Sequence, residues 1–254
     1  MAIIEISDLA FPAFNEIEME KLPEDYGIEF FYEFGSNSYW DVILQRMRAD
    51  KKTLSIHGPC VTVNLADPND TAYLEQYRKA FSYAKKNGAT YVVVHTNEQW
   101  SGDMEFCRQL VLERLHRIEL LANELDGAKM GIENVGLKQN NLFDEEAYVA
   151  LFEEFQAAGA VIDVGHAHIN NWDTCRVITA LNRRISAFHL HDNDGKIDEH
   201  LPLFAGTIDW RSLMEIIKQY ASQAAFVFEY ADGNYKNAAN MIKELDVVRK
   251  KLRI

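Results

Sequence analysis

The chain has 254 residues, 48% of them hydrophobic and 26% charged, with only 13 Gly and 5 Pro. That composition supports a large core and excludes wholesale disorder. A formal net charge of −13 repels phosphate backbones and anionic lipid, and so argues against nucleic-acid or membrane partners.

Strand-length apolar runs alternate with longer amphipathic stretches. Ala2–Ile6 and Gly27–Phe31 read as the first two strands, and the stretches after them, Phe11–Pro23 and Ser36–Ala49, as the least regular helices. Thr53–His57 is the third strand, followed by an amphipathic helix over Thr71–Lys86 that Asn87-Gly88 stops. Tyr91–His95 is continuously apolar up to its last residue, as suits a parallel sheet buried on both faces. Glu105–Leu125 is the clearest helix, with Leu110, Val111, Leu115, Ile118, Leu121, Ala122 and Leu125 at helical spacing. Then come the strand Lys129–Glu133, a helix over Asp144–Ala157 opened by Asp144, and the strands Ala160–Asp163 and Ser186–His191. A helix over Asp209–Tyr220, the strand Ala225–Glu229 and a helix over Tyr235–Leu252 complete the chain.

Eight strands alternating with helices over about 250 residues predict a single (β/α)8 TIM barrel spanning residues 1–254. A doubly wound open sheet would need a glycine loop after its first strand. Ser7-Asp8-Leu9-Ala10 has no glycine, and no nucleotide cofactor is expected. Cys60, Cys107 and Cys175 are odd in number, widely spaced and form no CxxC pair, the pattern of reduced thiols in a cytoplasmic protein. The first 14 residues carry Glu5 and Asp8 and no basic residue, so they do not read as a signal peptide. No apolar run reaches the roughly 18 residues of a membrane span.

The chemistry is concentrated at the strand ends. Strands three to eight end on His57, His95, Glu133, Asp163 (with His166 close behind), His189-Leu190-His191 and Glu229. In a parallel barrel these ends share one mouth, where active sites are built. Carboxylates crowded there repel one another, and a divalent cation removes that cost. Imidazole and carboxylate together make an ordinary shell for such an ion, be it Mn, Zn, Mg or Co. Asp198 and His200 lie in the loop after strand seven, where they can fold back over the mouth. His191, two residues from His189 on the same strand, is expected to point away from it, and so to pack or to support a ligand from behind.

Seven motifs carry a resemblance: SIHGPCVTVNL at Ser55–Leu65, VVVHT at Val92–Thr96, GIENV at Gly131–Val135, VIDVGH at Val161–His166, AFHLHD at Ala187–Asp192, DEHLPLFAGTIDW at Asp198–Trp210 and FVFEY at Phe226–Tyr230. Together they resemble the xylose isomerase-like barrels, which include sugar and sugar-phosphate isomerases and epimerases as well as the endonuclease IV nucleases. The isomerase branch implies one metal held by Glu133, Asp163, His189 and Glu229, with His166 touching substrate. The nuclease branch implies up to three zinc ions, adding His57, His95, His166, Asp198 and His200.

Two reactions follow. In the first, a metal-dependent isomerase or epimerase of a sugar or sugar phosphate moves a proton through an enediolate. Glu133 and Glu229 serve as base and acid and His166 as catalytic partner, while His57, His95, Lys196, Trp100 and Trp172 bind substrate. Isomerase relatives often carry an Arg after the strand-seven His, where this chain offers only Lys196. In the second, a multinuclear zinc phosphodiesterase cleaves abasic-site DNA; the full ligand set favours it, and the charge and the bland loop Gly58–Asn64 oppose it. A homo-oligomer stays open.

Overall fold

The computed structural model describes residues 3–12, 18–47 and 53–254. Eight strands, β1 (Ile3–Ser7), β2 (Tyr26–Phe31), β3 (Leu54–His57), β4 (Tyr91–His95), β5 (Lys129–Glu133), β6 (Gly159–Asp163), β7 (Ile185–Leu190) and β8 (Ala225–Phe228), pair in parallel and in chain order. β8 returns to pair with β1, closing the barrel that the alternating pattern predicts. Ala2 and parts of the stretches Phe11–Pro23 and Ser36–Ala49 lie outside the described residues.

Helices α1 (Asn37–Met47), α2 (Tyr73–Asn87), α3 (Met104–Leu125) and α4 (Glu145–Glu154) follow β2, β3, β4 and β5. Two short helices, α5 (Val164–Ile169) and α6 (Thr174–Leu181), fill the crossover from β6 to β7, where the sequence pattern shows no helix. α7 (Trp210–Tyr220) and α8 (Ala238–Leu252) complete the outer ring. The side chains of Asp103, Asp144, Asp173, Asp209 and Asn237 each accept a backbone N–H of the first turn of α3, α4, α6, α7 and α8. Among the described residues no helix is long and apolar enough to cross a membrane.

Strand alternation divides the core in two. One set of buried apolar side chains packs the sheet against the helices, and a small separate cluster of Tyr91, Val93, Val161, Ala187, Ala225 and Val227 fills the barrel interior. Residues in register with that interior set and nearer the C-terminal ends are polar. His95 pairs across from Glu133, and Asp163 across from His189, so the barrel's pairing brings these side chains to one level.

Two loops at the same end are tied by buried polar groups. The Arg114 guanidinium donates to four carbonyls of the loop after β3: Asn64, Leu65, Asp67 and Asp70. After β7, the Asp192 carboxylate accepts the Trp210 indole N–H at 2.8 Å and the Phe204 N–H at 2.9 Å, and its backbone pairs with Leu201. This fastening holds the segment carrying Asp198 and His200 over the barrel.

Candidate metal centre

The mouth opens on a cavity of about 410 Å³ lined by His57, His95, Glu133, His166, Asp198, His200 and Glu229. Asp163 and His189 lie beneath its floor, both at 0% exposure. His189 is the hub. Its Nδ1 stands 3.4 Å from Glu133 Oε1, 3.4 Å from Glu229 Oε2 and 4.0 Å from Asp163 Oδ2. Three acids from three strands thus surround one ring nitrogen, while the other, Nε2, faces Glu29 Oε1 at 3.1 Å.

Two further clusters adjoin this one. Glu133 turns its second oxygen, Oε2, toward His95 Nε2 at 2.9 Å and His57 Nε2 at 3.5 Å. Asp198 Oδ2 lies 3.2 Å from His166 Nε2 and 3.0 Å from His200 Nε2. The outward nitrogens of these rings are all engaged. His57 Nδ1 meets the Gly58 carbonyl at 3.1 Å, His95 Nδ1 meets Glu98 at 2.6 Å, His166 Nδ1 meets the Asn134 carbonyl at 3.1 Å and His200 Nδ1 meets the Glu229 carbonyl at 2.8 Å. An acceptor on one ring nitrogen fixes its proton there and leaves the opposite nitrogen's lone pair facing a carboxylate. Lone pair against carboxylate is repulsive without a proton or a cation between them, and this ring arrangement is the one that metal-ligating histidines adopt.

Where protons fill that role, the charges couple strongly. Burial favours neutral His95, yet Glu133 and Glu98 outweigh it and raise the ring to about 10. His200 is likewise raised to about 9, chiefly by Asp198 and Glu229 against its burial. His166 and His189 are driven well above the ordinary imidazole range by Asp163 and Asp198, and by Glu229 and Glu133. Burial works against ionised Glu133, but His189 and His95 hold it well below the carboxylate range. The hub's donors, from Glu133, Asp163, His189 and Glu229, are N and O only and fit divalent cations of the zinc or manganese kind, while Cys60 adds a sulfur beside His57 and His95.

The remaining residues expected at the site sit elsewhere. Lys196 is exposed and paired with Asp194 at 2.7 Å. Trp100 packs, partly buried, against the main core. Trp172 packs on Tyr148, with centroids 5.5 Å apart, and lines a separate cavity with His168 between α5, α6 and α7. The cause is α5, which carries the chain after Asp163 outward instead of leaving it as a loop at the mouth. The cavity's aromatic wall comes instead from Phe31 and Phe34, stacked at 5.4 Å, with His57 stacked on Phe31 at 3.9 Å. No Lys or Arg lines the cavity among the described residues.

Three functional candidates escape a reading of strand ends. Glu29 lies two residues before the end of β2, beneath His189. Glu5 lies in β1 beside it, and the Ser55 hydroxyl bridges both carboxylates, 2.8 Å from Glu29. Gly27 makes room: a Cβ there would fall 2.8 Å from the Glu5 side chain. The third is His191. β7 ends at Leu190, so the chain turns and brings His191 inward, completely buried, with Nε2 2.9 Å from Asp163 Oδ2. Of the two expected places, packing or support, it takes the second, holding the Asp163 carboxylate from behind.

A family model for xylose isomerase-like TIM barrels matches residues 15–251. An uncharacterized protein of Methanocaldococcus jannaschii is 25% identical over 210 residues, covering 78% of this chain and 70% of its own length. Among solved structures, a D-tagatose 3-epimerase-like protein superposes with a TM-score of 0.81 at 22% identity, covering 99% of this chain and all of its own. A family 2 AP endonuclease from Brucella melitensis superposes at 0.77 with 15% identity, covering 97% and 99%. At those identities the structural likeness speaks for the fold.

Proposed function

Because the chain belongs to the xylose isomerase-like TIM-barrel family, we propose that it is a metal-dependent isomerase or epimerase acting on an uncharged sugar. The observation that carries this reading is the convergence of Glu133, Asp163 and Glu229 on one nitrogen of His189. These four residues would hold the ion, which when bound would polarise a sugar carbonyl and acidify the adjacent C–H. Glu133 and Glu229 approach from strands three apart around the ring, so each can face the reacting carbon from its own side, one to take the proton and one to return it. His166 borders the same cavity, and in its protonated form, favoured by Asp163 and Asp198 against burial, its Nε2 N–H can be offered to a substrate oxygen. The Phe31–Phe34 wall offers a flat apolar face to a sugar's C–H surface.

An uncharged substrate follows from the lining. Among the described residues, Glu98, Glu133, Asp198 and Glu229 border the cavity and no Lys or Arg does, so a phosphate group would meet carboxylates and no fixed cation there. Epimerases recur among the similar folds, including a D-psicose 3-epimerase and an L-ribulose 3-epimerase.

A second reading has one observation in its favour. Each oxygen of Glu133 faces a different cluster, an arrangement suited to a carboxylate bridging two ions in a phosphodiesterase. The test sets the readings against each other. The metal-loaded protein is incubated in D2O with a panel of free ketoses, and separately with abasic-site DNA. Deuterium at the carbon beside the carbonyl, lost by a factor of about 10² or more in E133Q, is the expected result. Strand cleavage without any exchange would overturn it.

A further inference from the structure

We propose that Glu33 helps set the charge of the substrate: its carboxylate fills an oxyanion cradle built into the loop after β3, and so closes that cradle to the phosphate of a sugar phosphate. The inference deepens the reading of an uncharged substrate and rests on it for the reaction that the cavity serves.

Glu33 stands in the short 3-10 turn Tyr32–Phe34 that follows β2. Its Oε1 accepts the N–H groups of Cys60 and Val61, each at 2.8 Å, and the Cys60 thiol at 3.2 Å. Its Oε2 accepts the Thr62 N–H at 2.9 Å and the Thr62 hydroxyl at 2.8 Å. All five donors are neutral, and three of them are consecutive backbone N–H groups turned toward one carboxylate. A run of that kind in a turn is an anion-binding concavity, whichever anion fills it. Burial works against the charge of Glu33, yet these donors hold its carboxyl below the ordinary range. Two oxygens of a phosphate would meet the same donors that the two carboxylate oxygens meet.

Fastening the loop does not account for a carboxylate at this place, because other contacts hold the cradle on each side. Before it, the Tyr77 hydroxyl donates to the Pro59 carbonyl at 3.2 Å and the Gly58 N–H to the Val93 carbonyl at 3.1 Å. After it, the Asn64 N–H donates to Asp70 at 2.8 Å, and Arg114 donates to the Asn64 and Leu65 carbonyls. The turn that carries Glu33 is pinned by the Trp40 indole, which donates to the Tyr32 carbonyl at 2.9 Å. The cradle therefore keeps its shape without Glu33. Cys60 and Val61 border the cavity, as does Phe34 beside Glu33, so a phosphate at the far end of a sugar would find the cradle at the rim. Burial and the charges of Glu33, Glu98 and Glu133 push the Cys60 thiol up, which places Glu33 in the negative field of the mouth. A further acid there adds repulsion to an already crowded site. What it achieves is a cradle whose donors are all taken before a substrate arrives.

Amide ¹H–¹⁵N spectra of wild type, E33A, E33S and E33Q, recorded as inorganic phosphate is added, test this, with circular dichroism to check folding. In E33A and E33S the amides of Cys60, Val61 and Thr62 should move together, with phosphate bound at least about tenfold more tightly than by wild type. E33Q, which fills the cradle without a charge, should stay as silent as wild type. Adding T62V to E33A removes one donor and should weaken the phosphate about tenfold. The proposal is overturned by an equal response in wild type and E33A, by silence in folded E33A and E33S, or by a response in E33Q as large as that of E33A. A response confined to the amides of Glu133, His189 and Glu229 would put the phosphate on bound ions and overturn it as well. Wild type gives a check that needs no variant: the three cradle amide protons should exchange slowly with water, and fast exchange would show that the carboxylate does not fill the cradle. None of these readouts involves sugar turnover. A lack of deuterium exchange with ketoses would sink the isomerase reading and leave the cradle standing, and a silent cradle would leave that reading standing.

Discussion

Glu5 gives the most direct test of how the barrel interior is charged. It is 1% exposed, and burial together with neighbouring Glu29 raises it from 4.5 to about 7, against the lowering effect of its hydrogen bond with Ser55. The folded chain therefore binds more protons than the unfolded chain between pH 4.5 and 7, and stability falls as pH rises through that window. At about 1.4 kcal/mol per pH unit the loss from this one group is about 3 kcal/mol, to order of magnitude. The E5Q substitution keeps the neutral shape, and its amide oxygen still accepts from Ser55. Urea unfolding of both proteins at pH 5 and pH 8, in excess chelator, isolates the effect as a difference of differences. E5Q should be more stable than wild type by up to about 3 kcal/mol at pH 8, and the gap should shrink toward zero at pH 5. A gap that is absent at pH 8, or the same at both pH values, would refute the reasoning.

Glu29 should act through His189: E29Q, which removes the charge facing Nε2, is expected to weaken metal at the hub 10–100-fold in chelator competition without altering the fold. Unchanged affinity would mean that Glu133 and Glu229 orient the ring unaided. Arg114 should be structural: R114A leaves four loop carbonyls without their donor and is expected to cost about 3 kcal/mol in urea unfolding. R114K should recover only part of that, since an ammonium cannot present the guanidinium's parallel N–H pairs.

The fold and the strand-end ligands are legible in the sequence because both depend on short-range periodicity. An apolar run that ends in His, Glu or Asp reports its own strand, and parallel pairing carries all such ends to one mouth. The interior acids were hidden for a related reason. Glu5 in Ile4-Glu5-Ile6 and Glu29 in Ile28-Glu29-Phe30 stand mid-strand, where attention to strand ends passes over them. A lone carboxylate at an alternate position of an otherwise apolar strand is the signal that finds them, because only the interior face of a closed barrel can receive it. His191 depended on β7 ending one residue earlier than its composition suggests, and Trp172 on a short helix, α5, that is too brief to show a period. Those are boundary effects, the second fixed locally by the Asp163 carboxylate capping α5 through the His166 N–H at 2.6 Å.

The net charge of −13 is a weaker argument against anionic substrates than the lining of the mouth. Glu29, Glu98, Glu133, Asp163, Asp198 and Glu229 all lie in or under the cavity, so much of the formal negative charge is local to it and is cancelled in proportion to the cations bound there. What those cations cannot supply is a second, fixed positive group away from the hub to grip a phosphate at the far end of a sugar. Phe31, Phe34, Val61 and Leu137 occupy the rest of the lining instead. A neutral polyol needs only the hub at one end and apolar contact along its length. A phosphorylated one would have to place its charge either on the ions that the reacting oxygens need or against Glu98, and both placements work against turnover. The discrimination therefore rests on the absence of a local cation, and would persist at salt concentrations that screen the charge of the surface as a whole.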